Sequence, residues 1–265
     1  MGIKVLCAGD VVGNPGRKAI AHELPKITEE RGIDCAIVNA ENISSGSGIT
    51  PTLFEKLLKS GVNLVTLGDH IYRRREIIAT LETAPQIVKP ANLPPTAPGR
   101  EFAIHETENG TKVAVFSLLG RLYMKPQADC PFKAADRVLA KIPSEVKIIV
   151  CDMHAEATSE KVAMGWHLDG RVSVMFGTHT HIPTADEQVL PGGTGYITDL
   201  GMTGPYDGVL GRDKARVLQS MVHAIPARFD VATDNINVCG IIATVDPNSG
   251  RCEHIERIKL PHHEP

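Results

Sequence analysis

Five short apolar runs in this chain each end in residues that can hold a metal ion, and that recurrence restricts the fold more than any other feature. Ile3–Gly9 leads into Asp10, Cys35–Ala40 into Glu41-Asn42, and Val62–Gly68 into Asp69-His70. Val146–Cys151 leads into Asp152-Met153-His154, and Val172–Gly177 into Thr178-His179-Thr180-His181. Runs of this length, rich in β-branched residues, predict buried strands with helix-like segments between several of them. In an open α/β sheet, ligand sites lie beyond the carboxyl ends of the strands. Five distant points of the chain would then deliver carboxylate, amide and imidazole groups to one edge.

The segments between the runs fit that scheme. The first half reads β-α-β-α-β. One helix is predicted from near Pro15-Gly16 through Ala19, Ile20, Leu24 and Ile27 to a stop at Gly32. A second begins at Thr50-Pro51 and ends at Gly61, and a third follows His70 with Ile77, Ile78 and Leu81. The stretch 85–99 holds five prolines and reads as a connector over the surface. Beyond it come two hairpin strands, Glu101–His105 and Thr111–Ser117, and a helix over Phe132–Ile142. Residues 192–211 are glycine-rich, and so long a loop is expected to line a site. Strands near Val238–Val245 and His254–Leu260 close the chain. No linker invites a cut, so residues 1–265 read as a single domain.

Composition narrows the partners. The formal charge of −3 over 265 residues argues against a polyanion-binding surface, so extended nucleic acid is not expected, while a small anion at a metal site is compatible. No window is long and apolar enough to span a membrane, and no signal peptide is expected from the strand-like opening residues. The six cysteines are scattered without a C-x-x-C pair, which predicts reduced core thiols and a cytoplasmic protein. A homo-oligomer is compatible with all of this.

The candidate ligands are Asp10, Glu41, Asn42, Asp69, His154, His179 and His181. They offer oxygen and nitrogen but no thiolate, a donor set suited to iron, manganese, zinc or cobalt. Seven ligands exceed what one tetrahedral zinc takes. They suit two cations roughly 3.5–4 Å apart that share a carboxylate and clamp an in-line displacement at phosphorus. In an extended segment, the imidazoles of His179 and His181 would point the same way. Asp152 lies two residues before His154 and could face the site, with a solvated or capping carboxylate as the alternative. Ser44-Ser45-Gly46-Ser47-Gly48 could present N–H groups to phosphate or be a plain turn. Tyr206 could stack on a base or simply pack. His22 and His167 fall on helix-like segments, and the tail 261–265 could grip stray metal or fray. Phosphate-binding and dinucleotide glycine motifs and the nucleophile elbow are all missing.

These motifs carry a resemblance. The early Gly9-Asp10, Gly68-Asp69-His70 and Gly177-Thr178-His179-Thr180-His181 resemble calcineurin-like metallophosphoesterases. Gly9-Asp10-Val11-Val12-Gly13, Asn39-Ala40-Glu41-Asn42, Gly48-Ile49-Thr50 and Asp199–Asp207 are similar to the YmdB-type branch over essentially the whole chain. The resemblance implies a four-layer α-β-β-α sandwich and a phosphodiesterase of 2′,3′-cyclic nucleotides. It also implies a cofactor of two divalent or trivalent metal ions, iron first and manganese, zinc or cobalt otherwise. It makes Glu41 the bridging carboxylate, with Asp10, Asn42 and His181 on one metal and Asp69, His154 and His179 on the other. His70 becomes the catalytic histidine, protonating the leaving oxygen or stabilising charge that builds on the phosphate, while a hydroxide formed on the metals attacks phosphorus. A phosphomonoesterase, or a nucleotide- or metal-binding regulatory protein with little turnover, are the alternatives.

Two departures bear on these expectations. Val12 stands where the wider superfamily has a histidine, as in the YmdB-type branch. Asp69 stands where the third motif usually has asparagine, which adds a negative charge and predicts tighter metal binding with weaker attraction for an anionic substrate.

Overall fold

The structure is a computed structural model that describes residues 2–125 and 127–263. The chain opens β1 (Ile3–Ala8), α1 (Gly13–Arg31), β2 (Cys35–Asn39), α2 (Pro51–Lys59), β3 (Leu64–Thr66), in the predicted alternation. Local chemistry sets the boundaries. Gly32 adopts φ 64° and donates its N–H to Thr28 O, ending α1 in a conformation that glycine reaches without a Cβ penalty. At the start of α2, Thr50 Oγ1 accepts the Leu53 N–H at 3.3 Å and Pro51 follows at the first turn.

After a 3₁₀ turn at Arg75–Ile77 come α3 (Ile78–Thr83), β4 (Phe102–Glu106), β5 (Lys112–Leu119), α4 (Pro131–Leu139), β6 (Ile148–His154), α5 (Thr158–Leu168) and β7 (Val174–Thr178). The short strands β8 (Gln188–Val189), β9 (Gly195–Ile197) and β10 (Gly204–Pro205) precede α6 (Lys214–His223), β11 (Ile236–Val245) and β12 (Cys252–Pro261). One sheet has the order β10-β11-β1-β2-β3, with β12 also on β11, and β1, β2 and β3 run parallel. The other has the order β4-β5-β6-β7-β9-β8, parallel from β5 through β9.

The alternation of strand side chains explains why the runs are apolar throughout. Val5, Cys7 and Ile37 face Val115, Val150 and Phe176 of the other sheet. Leu6, Ala8 and Val38 instead face Ile20, Leu24 and Leu57 of the helices. The second sheet does the same, with Phe116 and Met153 packed on Ala134, Val138 and Met164. Burying each large side chain on such a face contributes about 1.5–3 kcal/mol.

The proline-rich stretch departs from expectation. Ile87, Val88, Lys89, Ala91 and Asn92 are buried, not on the surface. The segment passes from one sheet to the other, and both sheets satisfy its backbone. Val88 N–H donates to Val65 O at 3.0 Å, Ala91 N–H to Ser117 O at 2.8 Å, and the Asn92 amide to Leu119 O at 2.8 Å. Proline here marks the end of regular pairing rather than exposure.

All six cysteines are free thiols, five of them buried. Among the described residues, no helix is long and apolar enough to cross a membrane.

Candidate metal centre

The seven sequence-predicted ligands come together where the parallel strands of both sheets end. Asp10 follows β1, Glu41 and Asn42 follow β2, and Asp69 follows β3; His154 closes β6, and His179 and His181 follow β7. Glu41, Asp69, His154 and His179 each place a donor atom within 4.8 Å of the others. His154 Nε2 lies 3.3 Å from Glu41 Oε1, 3.1 Å from Asp69 Oδ1 and 3.1 Å from His179 Nδ1. On the other side, Asn42 Nδ2 is 3.4 Å from Asp10 Oδ1, 3.2 Å from Glu41 Oε1 and 3.1 Å from His181 Nε2. Glu41 therefore faces both groups. Turning the Asn42 amide over would bring its oxygen, the atom that binds metals, to the same place.

The second nitrogen of each histidine tests whether this cluster fits a cation. Leu210 O lies 3.1 Å from His181 Nδ1, and a carbonyl can only accept, so that nitrogen carries the proton and Nε2 keeps its lone pair toward Asp10. His179 Nε2 lies 3.2 Å from Glu156 Oε2, which leaves Nδ1 for the cluster. His154 Nδ1 lies 2.8 Å from Thr178 Oγ1, whose hydroxyl donates to Asp152 Oδ1 at 2.6 Å and so accepts from the ring. The lone pairs of His154 and His179 point at carboxylate oxygens within 3.4 Å, an arrangement that needs a cation or a proton between them, while that of His181 faces the Asn42 amide at 3.1 Å with Asp10 Oδ1 at 3.8 Å. Burial disfavours charge on His154, yet the charge of Glu41 and the hydrogen bonds of Asp69 and Glu41 raise its pKa well above the usual value. Burial likewise opposes ionisation of Glu41 and Asp69, but their histidine partners hold both well below the usual carboxylate range. In such a site a metal displaces the imidazole proton on binding. The donor set and its tautomers fit metal ions.

Two local expectations are corrected here. His179 and His181 do not sit in an extended segment. β7 ends at Thr178, and the two histidines have φ of 95° and 67°, a conformation side chains rarely adopt and one associated with functional sites. The loop sends one ring to each half of the cluster. It is held there by buried Asp199, which accepts from Thr180 Oγ1 at 2.8 Å and pairs with buried Lys161 at 2.6 Å. Asp152 is neither solvated nor a ligand. It is fully buried behind the site and accepts from Asn39 Nδ2 at 2.9 Å, Thr66 Oγ1 at 2.6 Å and Thr178 Oγ1. Burial pushes its pKa up to about 6 against those hydrogen bonds and the pull of His154.

Residues 6–258 match a family profile described as YmdB-like protein. The chain belongs to the YmdB-like family. It is 40% identical over 258 residues to the 2′,3′-cyclic-nucleotide 2′-phosphodiesterase of Bacillus subtilis (strain 168), covering 97% of each chain. A putative phosphatase/phosphodiesterase of Mycoplasma pneumoniae is 32% identical, with 99% of this chain and 95% of that one aligned. Among solved structures, a hypothetical protein from Thermus thermophilus superposes with TM-score 0.91 at 36% identity over 98% of this chain and all of that one. A Mycoplasma pneumoniae structure called a novel phosphatase superposes with TM-score 0.92 at 31% identity over all of this chain and 95% of that one.

Other candidates in this YmdB-like chain resolve more plainly. The Ser44–Gly48 segment is a turn in which Ser44 N–H reaches Gly48 O, Ser47 N–H reaches Ser44 O, and Gly48 N–H reaches Glu41 O. Tyr206 packs, donating to Met202 O at 2.9 Å beneath the Lys259 ammonium, 4.4 Å from its ring centre. The supporting groups Thr66, Thr178, Lys161 and Glu156 escaped sequence reasoning because each meets its partner only through tertiary packing, 20 or more positions along the chain in every case. Only the Asp152-x-His154 spacing hinted at them.

Proposed function

We propose that the chain is a dimetal-dependent phosphoric ester hydrolase that cleaves small phosphodiesters such as 2′,3′-cyclic nucleotides. The observation that carries this reading is Glu41, whose one carboxylate serves both halves of the cluster: Oε1 approaches His154 and Asn42, and Oε2 accepts the His70 N–H at 3.0 Å. The Bacillus relative's activity supports the phosphodiester as substrate. Asp10, Asn42 and His181 would hold one cation and Asp69, His154 and His179 the other, with Glu41 shared. When bound, such a pair polarises the phosphoryl oxygens and supplies hydroxide near neutral pH. Iron is the first candidate for that donor set, with manganese, zinc or cobalt as the other choices.

His70 is placed to handle the leaving oxygen. Its Nδ1 lies 3.2 Å from Glu41 Oε1, while the ring stays about a quarter exposed. Burial disfavours its charge, but the hydrogen bond and charge of Glu41 outweigh that and raise its pKa, so the ring keeps a proton to give. His70→Ala is expected to lower kcat about 10²- to 10⁴-fold with metal content unchanged. Loss of metal in parallel would recast His70 as a positioning residue.

Asp69 sets the charge of the site. Three carboxylates against two divalent cations leave one net positive charge, where asparagine at 69 would leave two. Asp69→Asn is therefore expected to lower metal retention on dialysis and to lower KM for a diester. If neither changes, the charge is irrelevant. Arg73 and Arg74, three and four positions past His70, lie beside Gly48, where an added Cβ would be 3.0 and 2.9 Å from them. Neither forms a salt bridge among the described residues, so both can offset the negative charge of Asp69 toward an incoming anion.

The test is turnover of 2′,3′-cyclic AMP and bis(p-nitrophenyl) phosphate by protein loaded with iron, manganese or cobalt. No turnover of either would sink the enzyme reading. The word phosphatase in the Mycoplasma relatives favours monoester hydrolysis as the second reading, separable by comparing p-nitrophenyl phosphate with the diester. The three apolar layers between sheets and helices support the four-layer α-β-β-α sandwich as one domain over 1–265. The free thiols support a cytoplasmic location.

A further inference from the structure

A second cluster of ligating side chains joins the middle of α1 to the segment that leaves β12. His262 is not frayed: it is buried, and its N–H donates to Ile236 O at 2.8 Å. Its Nδ1 lies 2.8 Å from Glu23 Oε1, and His22 Nδ1 lies 2.9 Å from the same oxygen. The two rings are 5.3 Å apart, edge to face. Three donor atoms from residues 239 positions apart thus converge within 4.8 Å. A cation is already drawn to them: the Lys26 ammonium sits 3.2 Å from His22 Nδ1 and 3.3 Å from Glu23 Oε2. Lys26 is half exposed and can swing into solvent.

We propose that His22, Glu23 and His262 form a second, separate metal site that takes one borderline divalent cation such as Zn²⁺ through two imidazole nitrogens and one carboxylate oxygen. Two histidines and a glutamate with an open fourth position are a recognised zinc set, and imidazole with carboxylate suits zinc, nickel or copper over magnesium or calcium. The present contacts of 2.8 and 2.9 Å are a few tenths of an ångström shorter than neighbouring ligands around a tetrahedral zinc, so modest opening of the cluster admits the ion. Glu23 is ready as a ligand. Although burial opposes its ionisation, His262, His22 and Lys26 lower its pKa to about 2. Bound there, the ion would tie α1 to the end of the chain, and it shares no residue with the Glu41 cluster.

Zinc titration by calorimetry of the full chain, already loaded at its main centre, tests this. The wild type is expected to take one equivalent more than His22→Ala or His262→Ala, with Kd in these variants weakened about tenfold or more. His22 is 44% exposed, so its removal leaves folding intact even if loss of buried His262 does not. Lys26→Ala is expected to tighten binding severalfold, because a competing charge is gone. The wild type should also gain thermal stability on adding zinc, and His22→Ala should not. Equal uptake by wild type and His22→Ala, or no effect of Glu23→Gln, overturns the site whatever the main centre holds.

Discussion

Gly68→Ala is expected to abolish metal retention while leaving the chain folded. A Cβ at this position would overlap the His154 ring at Cδ2 and Nε2 and the Glu41 carboxylate at Oε2. Those atoms sit at the centre of the cluster, and neither side chain can retreat. His154 is pinned through Nδ1 to Thr178, and Glu41 is buried and held by the His70 N–H. Overpacking of this kind typically costs about 1–3 kcal/mol, within what a domain of this size tolerates. The damage to ligand geometry is much larger in effect, since metal sites demand placement within about 0.5 Å. The measurement is metal per chain by elemental analysis beside circular dichroism and diester turnover. Alanine at 68 with full metal and full turnover would mean that the cluster is not the metal centre.

The second large effect is expected at Asp152, which touches no ligand position itself. Asparagine there keeps most hydrogen bonds by turning its oxygen to Asn39 and Thr66, which leaves its NH₂ facing Thr178. The Thr178 hydroxyl must then accept from residue 152 and donate to His154 Nδ1. That flips the ring tautomer and puts a proton on Nε2, the atom that faces Glu41 and Asp69. Asp152→Asn is therefore expected to weaken metal binding about 10- to 100-fold. Stability should move the other way. The folded pKa of Asp152 is raised from 3.8 to about 6, so its contribution is fully favourable below 3.8 and is lost as pH rises through 6. At neutral pH the buried charge costs about 3 kcal/mol, which asparagine removes. Metal-free Asp152→Asn is thus expected to melt no lower than wild type at pH 7.5 while holding less metal. Protonation of Asp152 adds a donor just as the substitution does, so metal uptake by the metal-free wild type is also expected to weaken as pH drops through about 6. A variant with unchanged metal affinity would show that Thr178 does not set the tautomer.

Particular elements show how far a linear reading reaches. The strands β1, β2, β3, β6 and β7 were legible because both their faces are covered, which forces an unbroken apolar run. The ends of α1 and α2 were legible because Gly32, Thr50 and Pro51 act within a few residues of themselves. The loop of His179 and His181 was not. Its positive φ values are imposed by Asp199 and Lys161, partners found only once α5 packs on β7. The buried course of residues 87–92 was hidden for the same reason, since its hydrogen-bond partners lie on β3 and β5.

The order of residues along this chain determined which groups could become ligands and that strand ends would carry them, because periodicity, capping and burial act over short stretches. Tertiary contacts decided which nitrogen of each histidine faces the cluster, through Thr178, Glu156 and Leu210, and packing of the two sheets decided that Asp152 stands behind the site rather than in it. Those choices belong to hydrogen bonds between residues such as Asn39 and Asp152, 113 positions apart, and no local property of either residue encodes the other's position.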